Sequence, residues 1–100
     1  MPTLFVTAPP DAAAELASDV LEERLAACVN RLDCRSTYRW EGEVHDEDEE
    51  ILLVKTTEER VDECREWLET EHPYEVPCIE RFDASETLPS FAEWRADVVK

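Results

Sequence analysis

Apolar positions fall in short blocks whose period changes along the chain, and those changes mark out the elements. Thr3 to Thr7 is a brief apolar run that predicts a first strand. Pro9-Pro10-Asp11 stops it and opens a helix, since proline is tolerated and an acid favoured in a first turn. Ala13, Leu16 and Val20 then recur at helical steps, as do Ala17, Leu21 and Leu25. Together they form one broad stripe, with Glu15, Asp19, Glu22 and Glu23 left to water.

Beyond the helix the period drops to two. Ala27-Cys28-Val29 predicts a strand that continues, with a break, through Ser36-Thr37-Tyr38-Arg39-Trp40, where Tyr38 and Trp40 share a face. Glu41-Gly42-Glu43 contains the only glycine and predicts a turn or bulge needing positive φ. The acidic run Asp46 to Glu50 reads as a solvated loop, and it lacks the internal glycine of a calcium loop. Ile51-Leu52-Leu53-Val54, apolar on both faces, suits a central strand.

Thr56-Thr57-Glu58-Glu59 has the form of a capping box, with Thr56 as N-cap. Val61, Cys64 and Leu68 give the inner stripe of a second helix flanked by Trp67, and His72-Pro73 ends it. Val76 to Phe82 predicts a fourth strand whose Pro77 places its start at a sheet edge. Phe91, Trp94 and Val98 mark a short terminal helix. The order β-α-β-β-α-β-α predicts an α+β protein, one domain over residues 1–100, with a ferredoxin-like β-α-β-β-α-β sandwich and a short C-terminal helix.

Composition narrows the function. The chain has 26 acidic and 10 basic residues, a formal charge of −16, and only two lysines, Lys55 and Lys100. Such a balance disfavours nucleic acid, whose phosphates need a basic patch. It suits molar salt, where the Debye length falls to about 3 Å and carboxylate repulsion is screened. The expectation is a halophilic protein. No apolar run approaches a membrane span, and the N-terminus lacks a secretion signal, so the expected location is the cytoplasm. Cys28, Cys34, Cys64 and Cys78 fall at no zinc-ribbon spacing and read as small buried apolar side chains. With one glycine there is no phosphate-cradling loop, and no G-x-S-x-G occurs. An enzyme is not expected.

Several segments, in this order and spacing, resemble the CutA family of divalent-cation tolerance proteins. They are Pro10-Asp11, Glu23-Arg24-Leu25-Ala26-Ala27-Cys28-Val29-Asn30, Ser36 to Gly42, Lys55-Thr56, His72-Pro73-Tyr74-Glu75-Val76-Pro77, and Phe91 three residues before Trp94. The resemblance implies a homotrimer related to the PII signalling proteins, with Tyr38 and Trp40 at the trimer interface. It also implies binding of copper or another divalent metal ion. His72 is the first metal-ligand candidate and Cys28 the second. Some members carry a copper-associated cysteine at the end of the first strand, where this chain has Val6 and Thr7, and Cys78 stands where glutamate is frequent. Cys78 is a substitute partner for His72 if the fold joins them. His45, in the acidic run, is expected to face solvent. The PII likeness supplies an alternative: a small anionic ligand in a cleft between subunits, lined by Lys55, Tyr74 and Glu75, with a signal passed to a protein partner. A Lys55–Glu75 ion pair is the structural reading of the same lysine.

Overall fold

The computed structural model describes all 100 residues. Seven elements follow in the order β1 (Pro2–Ala8), α1 (Pro10–Glu22), β2 (Cys28–Trp40), β3 (Glu43–Lys55), α2 (Val61–Glu71), β4 (Ile79–Asp83) and α3 (Pro89–Val98). The strands form one antiparallel sheet in the order β2-β3-β1-β4, which is the ferredoxin-like arrangement. No helix is long and apolar enough to cross a membrane.

Period-two alternation decides which side of the sheet is buried. Leu4, Val6 and Ala8 of β1, with Leu52 and Val54 of β3, point to the helices and are nearly or wholly inaccessible. They pack against Ala13, Leu16, Ala17 and Val20 of α1 and Val61, Cys64 and Leu68 of α2. Leu21, placed on the inner stripe by its spacing, is 40% exposed because α1 stops at Glu22, before that side of the stripe can close. Arg24 then takes φ 61° and turns the chain so that Leu25 re-enters the core. The other side of the sheet carries Phe5, Ile51 and Leu53, all half-buried, and no helix covers it. Leu32 and Phe82 on that side are 46% and 51% exposed.

The hairpin of β2 and β3 is the longest feature. Each strand has 13 residues, and they pair without interruption from Cys28↔Lys55 to Trp40↔Glu43. The expected break in β2 is absent, and the acidic run is strand rather than loop. Cross-strand chemistry explains both. Arg31 makes a bidentate pair with Glu50 at 2.7 and 3.1 Å, and Arg35 meets Asp46 and Asp48, each at 3.0 Å. Glu41 at φ 50° and Gly42 at φ 82° form the two-residue turn, a primed type that needs both positive values. β1 pairs with β3 only from Glu50 to Lys55, so the distal hairpin extends past the sheet with both edges free.

Two other expectations are corrected. Thr56 does not cap α2, which begins at Val61 with no side-chain cap. Its hydroxyl is fully buried and donates to the Leu25 carbonyl at 2.7 Å, so it staples the entry of β2 to the exit of β3. β4 begins at Ile79 rather than Val76, because Pro77 has no amide to offer the ladder and only the Cys78 carbonyl reaches β1, at Thr7. In α3 the buried residue is Arg95, while Trp94 is 44% exposed and stacks on Phe91.

Candidate functional site

At the foot of the free hairpin, β2 and β3 meet the segment that follows α2. The groove between them encloses about 700 Å³. Tyr38, Trp40 and Tyr74 supply aromatic walls, and Glu47, Glu49 and Glu75 supply carboxylates, with Thr7 and Cys78 at its inner end. No lysine or arginine lines it.

The alternation of the hairpin builds this site. Asp46, Asp48 and Glu50 point to the side that carries the arginines, whereas Glu47 and Glu49 point to the open side, where they meet phenols. Tyr38 donates to Glu47 Oε2 at 3.0 Å and Tyr74 donates to Glu49 Oε2, also at 3.0 Å. Burial, and then the Glu49 carboxylate, raise the Tyr74 pKa well above the ordinary phenol range. The bond to Glu47 raises that of Tyr38. Glu49 is only 5% exposed, and no Lys, Arg or His nitrogen lies within 4.0 Å of it. A buried carboxylate with one phenol partner and no countercharge is an open electrostatic position.

His72 does not line the groove but is bonded to Thr7 and Tyr74, which do; it is 7% exposed, with both ring nitrogens engaged. Nε2 donates to the Thr7 carbonyl at 2.8 Å, and Nδ1 accepts from the Tyr74 amide at 3.0 Å. The ring is therefore neutral, in the Nε2–H tautomer, and has no free lone pair for an ion. Its role here is to fix the segment that delivers Tyr74 to Glu49.

The fold separates the remaining candidates. Cys28 opens β2 opposite Lys55, and Lys55 lies opposite Thr3, so both are at the far end of the sheet from Thr7 and His72. Four strand residues put roughly 13 Å between those positions. Cys28 and His72 are not brought together, and Lys55 neither joins Tyr74 and Glu75 nor pairs with Glu75. Tyr38 is half-buried and stacks on His45 at 5.3 Å, and Trp40 is 41% exposed. Both lie on the open side of the hairpin, away from the helices. His45 is accordingly half-buried in β3, not in a solvated turn. Cys64 alone among the cysteines is buried, with burial pushing its thiol up to about 12. Cys78 is exposed, and all four cysteines are free. Nowhere do three His, Cys, Asp or Glu side chains converge to hold an ion. Glu47 and Glu49 escaped the sequence reading because an acidic run reads as a loop until its register is known.

This sequence and fold match proteins already described. Residues 3–98 match the family model for the CutA1 divalent ion tolerance protein. The divalent-cation tolerance protein CutA of Thermus thermophilus is 39% identical over 93 residues, which span 91% of this chain and 90% of that one. The crystal structure of Pyrococcus horikoshii CutA in 3 M guanidine hydrochloride superposes with a TM-score of 0.96 at 32% identity, covering all of both chains. A CutA from Nostoc, described as a PII-like protein, gives a TM-score of 0.96 at 25% identity, covering 100% of this chain and 98% of that one. The chain belongs to the CutA family of divalent-cation tolerance proteins.

Proposed function

We propose that this chain forms a homotrimer that binds a divalent metal ion at the carboxylate groove, and that this binding is its part in cation tolerance. The observation that carries the reading is Glu49, buried without a countercharge in a groove lined by three glutamates and no cationic side chain. That electrostatic field favours a cation and repels an anion. One protomer does not bring a full ligand set together; Glu49, with Glu47 beside it on the same side of β3, is the donor it would contribute, and Glu75 and Cys78 line the same groove. Carboxylates suit a borderline ion such as Zn(II) or Cu(II) better than Cu(I), so the copper reading moves away from His72 and Cys28.

The trimer reading rests on the uncovered side of the sheet. Phe5, Leu32, Ile51, Leu53 and Phe82 form an apolar surface there, continuous through the strand register with the side of the hairpin that bears Tyr38 and Trp40. Burying such a surface against copies of itself also leaves no free edge on the hairpin for chance pairing. A trimer would bring groove residues of neighbouring protomers near one another and so complete a ligand set that one protomer leaves partial. The four free thiols fit a reducing compartment, and we place the protein in the cytoplasm. We assign it no reaction. The acidic surface is the adaptation of a halophile, with solubility in molar salt as its benefit.

Calorimetric titration with Zn(II) and Cu(II), with mass by light scattering on the same sample, tests this. Expected are a trimer, saturable binding, and an affinity reduced about tenfold or more in Glu49→Gln. Binding unchanged by Glu49→Gln would move the metal elsewhere, and a monomer would remove the trimer reading. The PII-like alternative, a trimer that binds a small anion in this groove and signals to a protein partner, is disfavoured by the same carboxylates.

A further inference from the structure

The opposite end of the sheet carries the reverse anomaly. Arg95 on α3 is 2% exposed. Its Nη1 donates to the carbonyls of Pro2 and Thr56, both at 3.2 Å, and its guanidinium carbon lies 5.1 Å from the centre of the Phe91 ring. Those bonds use one nitrogen of the planar fork. Nε is buried with no partner, and Nη2 makes no hydrogen bond. No carboxylate lies within 4.0 Å of the group. Burial holds its pKa below the ordinary value.

The unused Nε–Nη2 edge is the one that grips oxyanions elsewhere in this chain. Arg31 uses it on Glu50, at 2.7 and 3.1 Å, and Arg81 uses it on Asp83, at 3.0 and 3.1 Å. Two further unpaired cations belong to the same corner. Lys55 immediately precedes the Thr56 carbonyl that Arg95 holds, and the Arg24 carbonyl accepts the amide of Lys100, just past α3, at 3.0 Å. Two acids of this end are already engaged. Glu58, two residues past Thr56, and Asp83, opposite Pro2, both bind Arg81. In a chain with 26 acidic and 10 basic residues, a guanidinium buried without an acid calls for an external anion.

We propose that this corner is an oxyanion site, with the Nε–Nη2 edge of Arg95 taking two oxygens of a tetrahedral anion such as phosphate and Lys55 and Arg24 flanking it. A guanidinium fork matches the oxygen spacing of phosphate, and a partly desolvated fork binds more tightly than an exposed one. The site is independent of the groove, and an anion here does not compete with a cation there.

The test is a titration with inorganic phosphate at constant ionic strength, made up with chloride, followed by thermal unfolding and by the phosphorus resonance of the ligand. Wild-type protein should show a saturable rise in Tm. Arg95→Met should weaken phosphate binding about tenfold or more, and Arg95→Lys, which keeps the charge but not the fork, should fall between. Lys55→Met, at a half-exposed position, should fold and weaken binding about threefold, and it decides the matter if Arg95→Met does not fold. A wild-type protein without a saturable response overturns the proposal. So does unchanged phosphate affinity in Arg95→Met, or in Lys55→Met where that variant has to decide.

Discussion

His72→Ala separates a structural imidazole from a metal ligand. The ring ties the residue after α2 to the last turn of β1 through the Thr7 carbonyl, at 2.8 Å, and it accepts the Tyr74 amide at 3.0 Å. Each such bond contributes about 1 kcal/mol net, and leaving a shielded carbonyl and amide unpaired adds a penalty of about 1 kcal/mol or more. The sum is about 2–4 kcal/mol. For a chain of this length, 1 kcal/mol moves Tm by about 4–8 °C, so a fall of roughly 8–32 °C is expected. Melts must be compared at one protomer concentration, since an oligomer's Tm depends on it. The same variant should also lower the Tyr74 phenol pKa towards its ordinary value, because the segment that seats it on Glu49 is released. Metal stoichiometry should persist at temperatures where the variant is folded. A His72→Ala protein that melts within about 3 °C of wild type but no longer takes up metal would refute this reasoning and return the imidazole to the ion.

Acid should unfold the protein through its arginine-paired carboxylates. Glu50 is held below its ordinary pKa by Arg31, and Glu58 and Asp83 by Arg81, so each contributes stability above the unfolded value that is lost as pH falls through the lowered one. Arg31→Met should move the acid-unfolding midpoint to higher pH in a circular-dichroism titration. An unmoved midpoint would mean that the Glu50 pair contributes nothing. Gly42→Ala should cost only about 1 kcal/mol by denaturant melt, because φ is 82° but an added Cβ meets nothing within 4 Å. Leu68→Ala, at a fully buried position between α2 and the sheet, should cost about 2–5 kcal/mol in the same assay. Raising KCl from low to molar concentration should raise Tm, and a flat or falling curve would remove the halophile reading.

Local signals were legible wherever one residue type decides the backbone. Gly42 marked the hairpin turn, Pro10-Asp11 the start of α1, and His72-Pro73 the end of α2. The element order also followed from periodicity, whereas which strand residues face the helices came only with the register. What could not be read depends on register. Asp46 to Glu50 looks like a loop when only its charge is seen. Its strand character comes from Arg31 and Arg35 on the neighbouring strand, at separations of 11 to 19 residues. Thr56 had the sequence of a cap, but a carbonyl 31 residues earlier claims its hydroxyl. Lys55 was assigned to the groove on proximity in a family motif, whereas the pairing with Thr3 puts it at the other end of β1.

Glu49 and Arg95 are the two buried charges that this chain leaves without a countercharge, and they cannot serve one another. Glu49 lies near the free end of the sheet, and Arg95 is fixed to the carbonyl of Thr56, seven residues along the same strand direction. At about 3.3 Å per residue the separation is roughly 20 Å. With an effective dielectric of about 20, two unit charges that far apart interact by less than about 1 kcal/mol, and salt reduces this further. Desolvating either charge costs several kcal/mol, so mutual attraction across the sheet does not offset the burial. The sheet also holds them apart, since Leu52 and Val54 lock the intervening strand into the core. The proposed cation at the groove and the proposed anion at the corner would each supply that compensation from outside the chain. Independent sites should behave additively. The changes in unfolding free energy from Glu49→Gln and Arg95→Met should sum in the double variant to within about 0.5 kcal/mol, and metal affinity should be unaffected by phosphate. A coupling larger than that would mean that the two ends communicate through the sheet and that the compensation is internal after all.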